Sequence, residues 1–166
     1  MMNWTNRAGG MGKWLFKPAL AFAAAVDASA AAAPAAPAPL PAQVELSSAY
    51  AFPATLERLS AAIEGAGLTV FARIDHQAAA ARAGLTMPPT TVLIYGNPKG
   101  GTPLMLAAPA LALDLPLRVL VREDAAGHTL VAFHPALALT RGAGLPDEQA
   151  AGLSKAETLI AAAIQP

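Results

Sequence analysis

Residues 115–135 read LPLRVLVREDAAGHTLVAFHP, and this stretch decides the fold. Leu117–Arg122 and His128–His134 each carry aliphatic, β-branched or aromatic residues at every second position, which is typical of strands with one buried face. Between them, Glu123–Gly127 is rich in turn-forming residues, so we predict a β-hairpin. Its buried face should carry Leu117, Val119 and Val121 on the first strand and Thr129, Val131 and Phe133 on the second.

Three more strands are predicted upstream of the hairpin. A weak pattern indicates a strand at Val44–Tyr50, and a β-branched and aromatic run indicates another at Thr69–Ile74. Thr90–Tyr95 is continuously apolar, which is typical of a central strand covered on both faces.

Helices are predicted between and after these strands. Pro53 suits a first helical turn, and Leu56, Leu59 and Ile63 then recur at helical spacing. Asp75 is a candidate N-cap for a second helix, and Thr102 for a third. A short helix should follow Pro135, and a last one should open at Pro146–Asp147 with Leu153, Ala156, Ile160 and Ile164 along one face.

The predicted order is therefore β-α-β-α-β-α-β-β-α-α. It indicates an α/β (mixed α+β) fold: a single small domain over residues 44–166, in which helices pack on a mixed sheet of about five strands.

The first 43 residues do not fit this domain. Residues 1–30 combine Arg7, Lys13 and Lys17 with a short apolar run, Leu15–Val26, and with small residues at Ala28–Ala30, which is typical of a signal peptide. Residues 31–43 are rich in Ala and Pro and predict an extended linker. We therefore expect an exported protein, periplasmic or secreted, with no stable transmembrane span once the segment is removed; a disordered start that is not a signal remains the alternative.

Composition argues against several function classes. The 11 basic and 11 acidic side chains leave no net charge, which disfavours a nucleic-acid partner. The absence of cysteine excludes thiolate nucleophiles and thiolate metal sites. His128 and His134 are too far apart on one strand to share a metal, so we expect no metal site and no cofactor.

A candidate site follows if the strands Thr69–Ile74 and Thr90–Tyr95 are parallel neighbours. The loops that follow parallel strands emerge at one edge of a sheet, where ligands bind in open α/β folds. Asp75 and His76 would then face the glycine-rich loop. Helix N-termini and a lysine favour an anionic group such as a carboxylate or phosphate. The predicted binding residues of the loop are Asn97, Lys99, Gly100, Gly101 and Thr102.

Each of these residues also has a purely structural interpretation. Asp75 can serve only as a helix cap, the glycines can serve only the turn, and Lys99 can be a solvated surface residue. His76 can act as a general acid or base, since its ordinary pKa suits neutral pH, or can make a structural hydrogen bond.

Three segments together resemble the domain-of-unknown-function family 302. They are IDHQAAAARAGL (74–85), PPTTVLIYGNPKGGTPLM (88–105) and LALDLPLRVLVRED (111–124). The resemblance covers roughly Tyr50–Ile164 and implies a small α/β fold that is often dimeric, found alone or behind export signals, with no agreed activity. The chain departs from the family at Phe133–Pro135, where members often carry a tyrosine.

Three functions remain open from the sequence. The first is a non-catalytic module that binds a small anionic molecule. The second is a structural protein whose function is its homodimer face. The third is an enzyme that uses His76, with Asp75, as acid or base.

Overall fold

The structure, a computed structural model, describes residues 43–166. Its strands are β1 (Val44–Ser47), β2 (Thr69–Asp75), β3 (Thr90–Gly96), β4 (Leu117–Glu123) and β5 (Thr129–Phe133). Its helices are α1 (Phe52–Gly65), α2 (His76–Arg82), α3 (Pro98–Ala107), α4 (Ala136–Gly142) and α5 (Asp147–Ala163), and a 3-10 helix, Pro109–Leu113, lies between α3 and β4. The predicted element order and the mixed α/β class are confirmed.

The five strands form one sheet in the order β1-β5-β4-β3-β2. The predicted hairpin is confirmed, with Val119 opposite Phe133 and Val121 opposite Val131. All four strand pairs are antiparallel. A mixed sheet with β2 and β3 parallel was the expectation, and the structure corrects it.

The core lies between one face of the sheet and the helices α1 and α5. Leu56, Leu59 and Ile63 are fully buried, as the helical spacing predicts. Ile160 and Ile164 of the α5 region are also fully buried, and they join the hairpin residues in one cluster. Burial along β3 alternates between buried and half-buried residues. The continuously apolar β3 is therefore fully buried on one face only, not on both as expected.

Helix α3 begins earlier than predicted. Asn97 is its N-cap and Pro98 its first residue, so the helix starts five positions before the predicted Thr102 cap, which Pro103 follows. Proline suits a first turn at either position, and the Asn97 side chain decides between them by accepting the Lys99 backbone N–H at 2.9 Å. No residue of α3 is fully buried.

The predicted signal segment and most of the linker lie outside the described residues. Within residues 43–166, no helix is both long enough and apolar enough to cross a membrane.

Candidate functional site

The two predicted halves of the site lie at opposite ends of the sheet. Because β2 and β3 are antiparallel, Asp75 lies opposite Thr91 at the start of β3, whereas Gly96 lies opposite Thr69 at the start of β2. Asp75 and His76 therefore do not meet the loop from Asn97 to Thr102. The hypothesis that these residues converge is wrong, because it required parallel strands.

Asp75 and His76 occupy an exposed helix start. The Asp75 carboxylate accepts the Ala78 backbone N–H at 2.8 Å and so caps α2. His76 is the exposed first residue of that helix. The structural interpretation of Asp75 as a cap is thus shown directly.

The glycine-rich loop uses its backbone donors internally. The Asn97 carbonyl accepts the Gly100 N–H at 3.0 Å and the Gly101 N–H at 2.9 Å. The Asn97 side chain accepts the Lys99 N–H, and Pro98 has no N–H to offer. An anion would have to displace these hydrogen bonds, so the backbone of this loop is not a ready anion cradle.

The same loop forms one wall of a cleft of about 550 Å³. Asn97, Gly100, Gly101 and Thr102 line this cleft, whereas Lys99 does not. The opposite wall is α5, which contributes residues from Gln149 to Leu159 at helical spacing. The walls are mostly apolar and include Leu68, Phe71, Leu104, Met105, Leu115 and Leu159.

Tyr95 lies at the buried end of this cleft. The residue is 3% exposed and makes no hydrogen bond within the described part of the chain. No side-chain polar atom there is wholly enclosed without a partner, so the Tyr95 hydroxyl reaches space that solvent can enter. Burial, and secondarily the negative charge of Glu157, raise the pKa of Tyr95 well above its ordinary value. The cleft therefore contains a phenol that stays protonated and can donate one hydrogen bond.

A β-bulge shapes the side of the cleft next to Tyr95. The register of β2 and β3 shifts between Val70 and Ala72, which leaves Phe71 without a partner residue on β3. The Phe71 side chain is 49% exposed and lies near Gly96, where an added Cβ would be 3.8 Å from the Phe71 ring and 3.4 Å from the Pro116 Cβ. A side chain at position 96 would therefore contact both Pro116 and the Phe71 ring, and glycine leaves that space free.

Lys155 is the only charged residue among those of the described chain that line the cleft. It is exposed and makes no ion pair with the described residues. Its exposure places the ammonium group at the rim, while the protonated phenol of Tyr95 lies inside.

Helix α4 is tied to this region by Glu157, whose carboxylate accepts the Ala136 backbone N–H.

Within residues 43–166, no three His, Asp or Glu side chains come close enough to hold a metal ion.

The family model "Domain of unknown function DUF302" matches residues 44–165. The chain belongs to the DUF302 family. The resemblance noted from three sequence segments is therefore confirmed over almost the whole described region.

A crystal structure of an uncharacterized conserved DUF302 protein from Bacillus stearothermophilus shares the fold. Its TM-score is 0.64 at 20% sequence identity, and the match covers 74% of this chain and 94% of that one. At this identity the likeness supports the DUF302 fold alone.

Three curated relatives are 44% identical to this DUF302 protein over 84 residues, and two of them come from Brucella suis and Brucella abortus. Each of these two is named "Fluoride-specific ion channel FluC 1". The match covers 51% of this chain but only 33% and 31% of these relatives. The chain thus spans about a third of their length.

The sequence alone missed half of the DUF302 cleft. The residues of α5 that line it, from Gln149 to Leu159, have the spacing of an ordinary core face, with Gly152 as the one unusual member. Tyr95 was assigned to a buried strand. Its hydroxyl at the end of an otherwise apolar run was the available signal, because a buried tyrosine usually finds a hydrogen-bond partner.

Proposed function

We propose that this DUF302 domain binds a small, mainly apolar molecule carrying one anionic group, and that it binds without turnover. The ligand would lie in the cleft between α3, α5 and the end of β3. The observation that carries this proposal is the hydroxyl of the buried residue Tyr95, which faces the cleft and has no hydrogen-bond partner among the described residues.

The size and chemistry of the cleft support this choice. Small-molecule sites usually have volumes of about 300–1,000 Å³, apolar walls and a few polar groups that fix orientation. The cleft has about 550 Å³ and offers the Tyr95 hydroxyl, Thr102, Asn97 and Gln149 as uncharged polar groups. An apolar ligand body would gain roughly 25 cal/mol for each Å² removed from water.

The charges favour an anionic group at the rim rather than inside. Glu157 lies close enough to Tyr95 to act on its pKa, so an anion next to the phenol would be repelled. Lys155 at the rim offers a positive charge that forms no ion pair with the described residues. A carboxylate or phosphate there would be attracted, while the buried end of the ligand accepts the Tyr95 hydrogen bond.

The absence of histidine and carboxylate side chains from the described walls of the cleft supports binding without turnover. Among the described residues that line the cleft there is no histidine and no carboxylate. His76, the residue that the enzyme hypothesis needs, lies beyond the opposite end of β2. The enzyme and structural hypotheses remain predictions that a negative binding result would favour.

The test is a thermal-shift and calorimetric panel on the full chain. The ligands are straight-chain and aromatic monocarboxylates of increasing length, with the matching neutral alcohols. A ligand at 100 times its Kd stabilises by about 2.7 kcal/mol, which is several degrees in Tm. We expect affinity for the carboxylates to rise with apolar length.

Two lysines provide a matched control for the charge. Lys155→Gln should weaken carboxylate binding and leave alcohol binding unchanged, whereas Lys99→Gln removes the same charge outside the cleft and should change neither. Tyr95→Phe should weaken both series roughly tenfold through the lost hydrogen bond. Equal effects of the two lysine variants, or no shift with any ligand, would refute the proposal.

The names of the Brucella relatives favour a second candidate. They support a role for this DUF302 domain beside a membrane protein that conducts an anion. Tolerance to fluoride in cells with and without the chain measures this; unchanged tolerance would contradict it.

Two further properties are proposed from the sequence. The basic and apolar composition of residues 1–30 supports export to the periplasm or exterior, which cell fractionation measures. The family resemblance supports a homodimer, which light scattering of the purified chain measures.

A further inference from the structure

Eleven consecutive residues, Pro103–Leu113, are all apolar, with the sequence PLMLAAPALAL. Folded domains usually bury such a run. Here Leu106 is 78% exposed and Leu113 is 85% exposed, and Leu111 is the only member that is fully buried. We call this segment the apolar lip.

The apolar lip is one edge of the cleft. It spans the second half of α3 and the 3-10 helix, and its residues Leu104 and Met105 line the cleft. The exposed Leu106 belongs to α3, which has no fully buried residue, and the exposed Leu113 ends the 3-10 helix, where only Leu111 is buried.

The lip and the sequence directly before it carry no acidic side chain. From His76 to Leu113 the sequence contains no aspartate or glutamate, while Lys99 stands exposed in the first turn of α3. The first carboxylate after the lip, Asp114, lies 3.4 Å from the Arg118 guanidinium, which neutralises it. The lip segment itself therefore has no negative charge, and the exposed Lys99 provides a cation in the same helix.

We propose that the apolar lip inserts into the interface of a lipid bilayer that contains anionic lipid. Interfacial elements combine a few large apolar side chains with nearby cations and bury their apolar face at the boundary between headgroups and acyl chains. This proposal goes beyond ligand binding in the cleft and does not depend on it.

The size of the lip favours a bilayer over a second copy of the chain. A stable protein interface buries about 800 Å² on each partner and is usually anchored by aromatic residues. Leu106 and Leu113 are the only large side chains that the lip exposes strongly, and its other exposed residues are Ala and Pro. Two leucines are too few for a standard protein interface, whereas reversible binding at a bilayer needs only a small apolar area beside a cation.

The test uses a site-specific fluorescent probe. The chain has no cysteine, so Leu113→Cys in the full-length protein can be labelled at one place with an environment-sensitive dye. Leu85→Cys is the matched control, because Leu85 is 66% exposed but lies between α2 and β3, away from the lip. We expect vesicles of phosphatidylcholine with phosphatidylglycerol to shift the emission to the blue at position 113 and not at position 85.

Unlabelled variants extend the test. Leu113→Ser should lower partitioning into these vesicles by roughly tenfold, since burying one leucine accounts for about that factor. Lys99→Gln should weaken binding to phosphatidylglycerol vesicles and not to phosphatidylcholine alone. Equal probe shifts at positions 113 and 85, or none at 113, would overturn the proposal. A shift at 113 that needs no vesicles and grows with protein concentration would overturn it in favour of a second copy.

Discussion

The two ends of the helical layer are built differently. Helices α1 and α5 bury Leu56, Leu59 and Ile160 completely against the hairpin. Helix α3 and the 3-10 helix bury one residue between them, Leu111, and expose most of their apolar side chains. The hairpin with α1 and α5, which we call the hairpin half, therefore holds the fold. Helix α3 and the 3-10 helix, the α3 half, bury little, so this half can serve binding with little effect on stability.

Truncating one leucine in each half gives the largest expected contrast. Leu59→Ala removes fully buried volume and should lower the free energy of unfolding by about 2–5 kcal/mol. Leu104→Ala acts on a half-buried residue of the cleft wall and should cost about 1 kcal/mol or less. Urea denaturation measures both. Equal losses would show that α3 carries as much of the fold as α1 does.

Removing the N-cap of α3 tests whether this helix unfolds separately from the hairpin, with a smaller expected loss of stability. Asn97→Ala deletes the side-chain acceptor of the Lys99 N–H, which should cost the helix about 1 kcal/mol. If α3 opens without the rest, hydrogen exchange should speed up in α3 alone while β4 stays protected and the global midpoint hardly moves. Asp75→Ala, which removes the equivalent cap of α2, is the control. A matching acceleration in β4 after Asn97→Ala would mean that the two halves unfold together.

The smallest effect concerns Tyr95, which lies where the two halves meet. Its pKa is raised above the ordinary value of 10.0, mainly by burial. The folded state therefore keeps the proton more tightly, so stability is fully present below pH 10 and is lost as the pH rises further. Between pH 8 and pH 10 the natural chain should lose about 0.4 kcal/mol of stability that Tyr95→Phe keeps, and this difference should widen above pH 10. If the free energies of unfolding of the two proteins change in parallel from pH 8 to about 11, the burial of Tyr95 is contradicted.

The sequence predicted the hairpin half better than the α3 half, for a physical reason. Alternation in Leu117–Arg122 and the spacing of Leu56, Leu59 and Ile63 report burial directly. Such patterns carry no information on strand direction, so they did not reveal that β2 and β3 are antiparallel. The antiparallel pairing places Asp75 and His76 at the opposite end of the sheet from the glycine-rich loop. The loop residues Asn97 and Gly100–Thr102 did turn out to line a cleft. The cleft residues of α5 lie about 50 to 60 residues further along the sequence, and only the fold brings them next to the loop.

The bulge at Phe71 has a consequence for how copies of this protein coexist. Strand β2 ends the sheet on one side, and an unpaired strand offers its backbone to any neighbouring chain. With 11 basic and 11 acidic residues, long-range repulsion does little to keep copies apart. The register shift interrupts the regular hydrogen-bonding ladder, and the exposed Arg73 follows it directly. An irregularity that shapes the cleft on one side therefore also blunts the open edge against strand-to-strand aggregation.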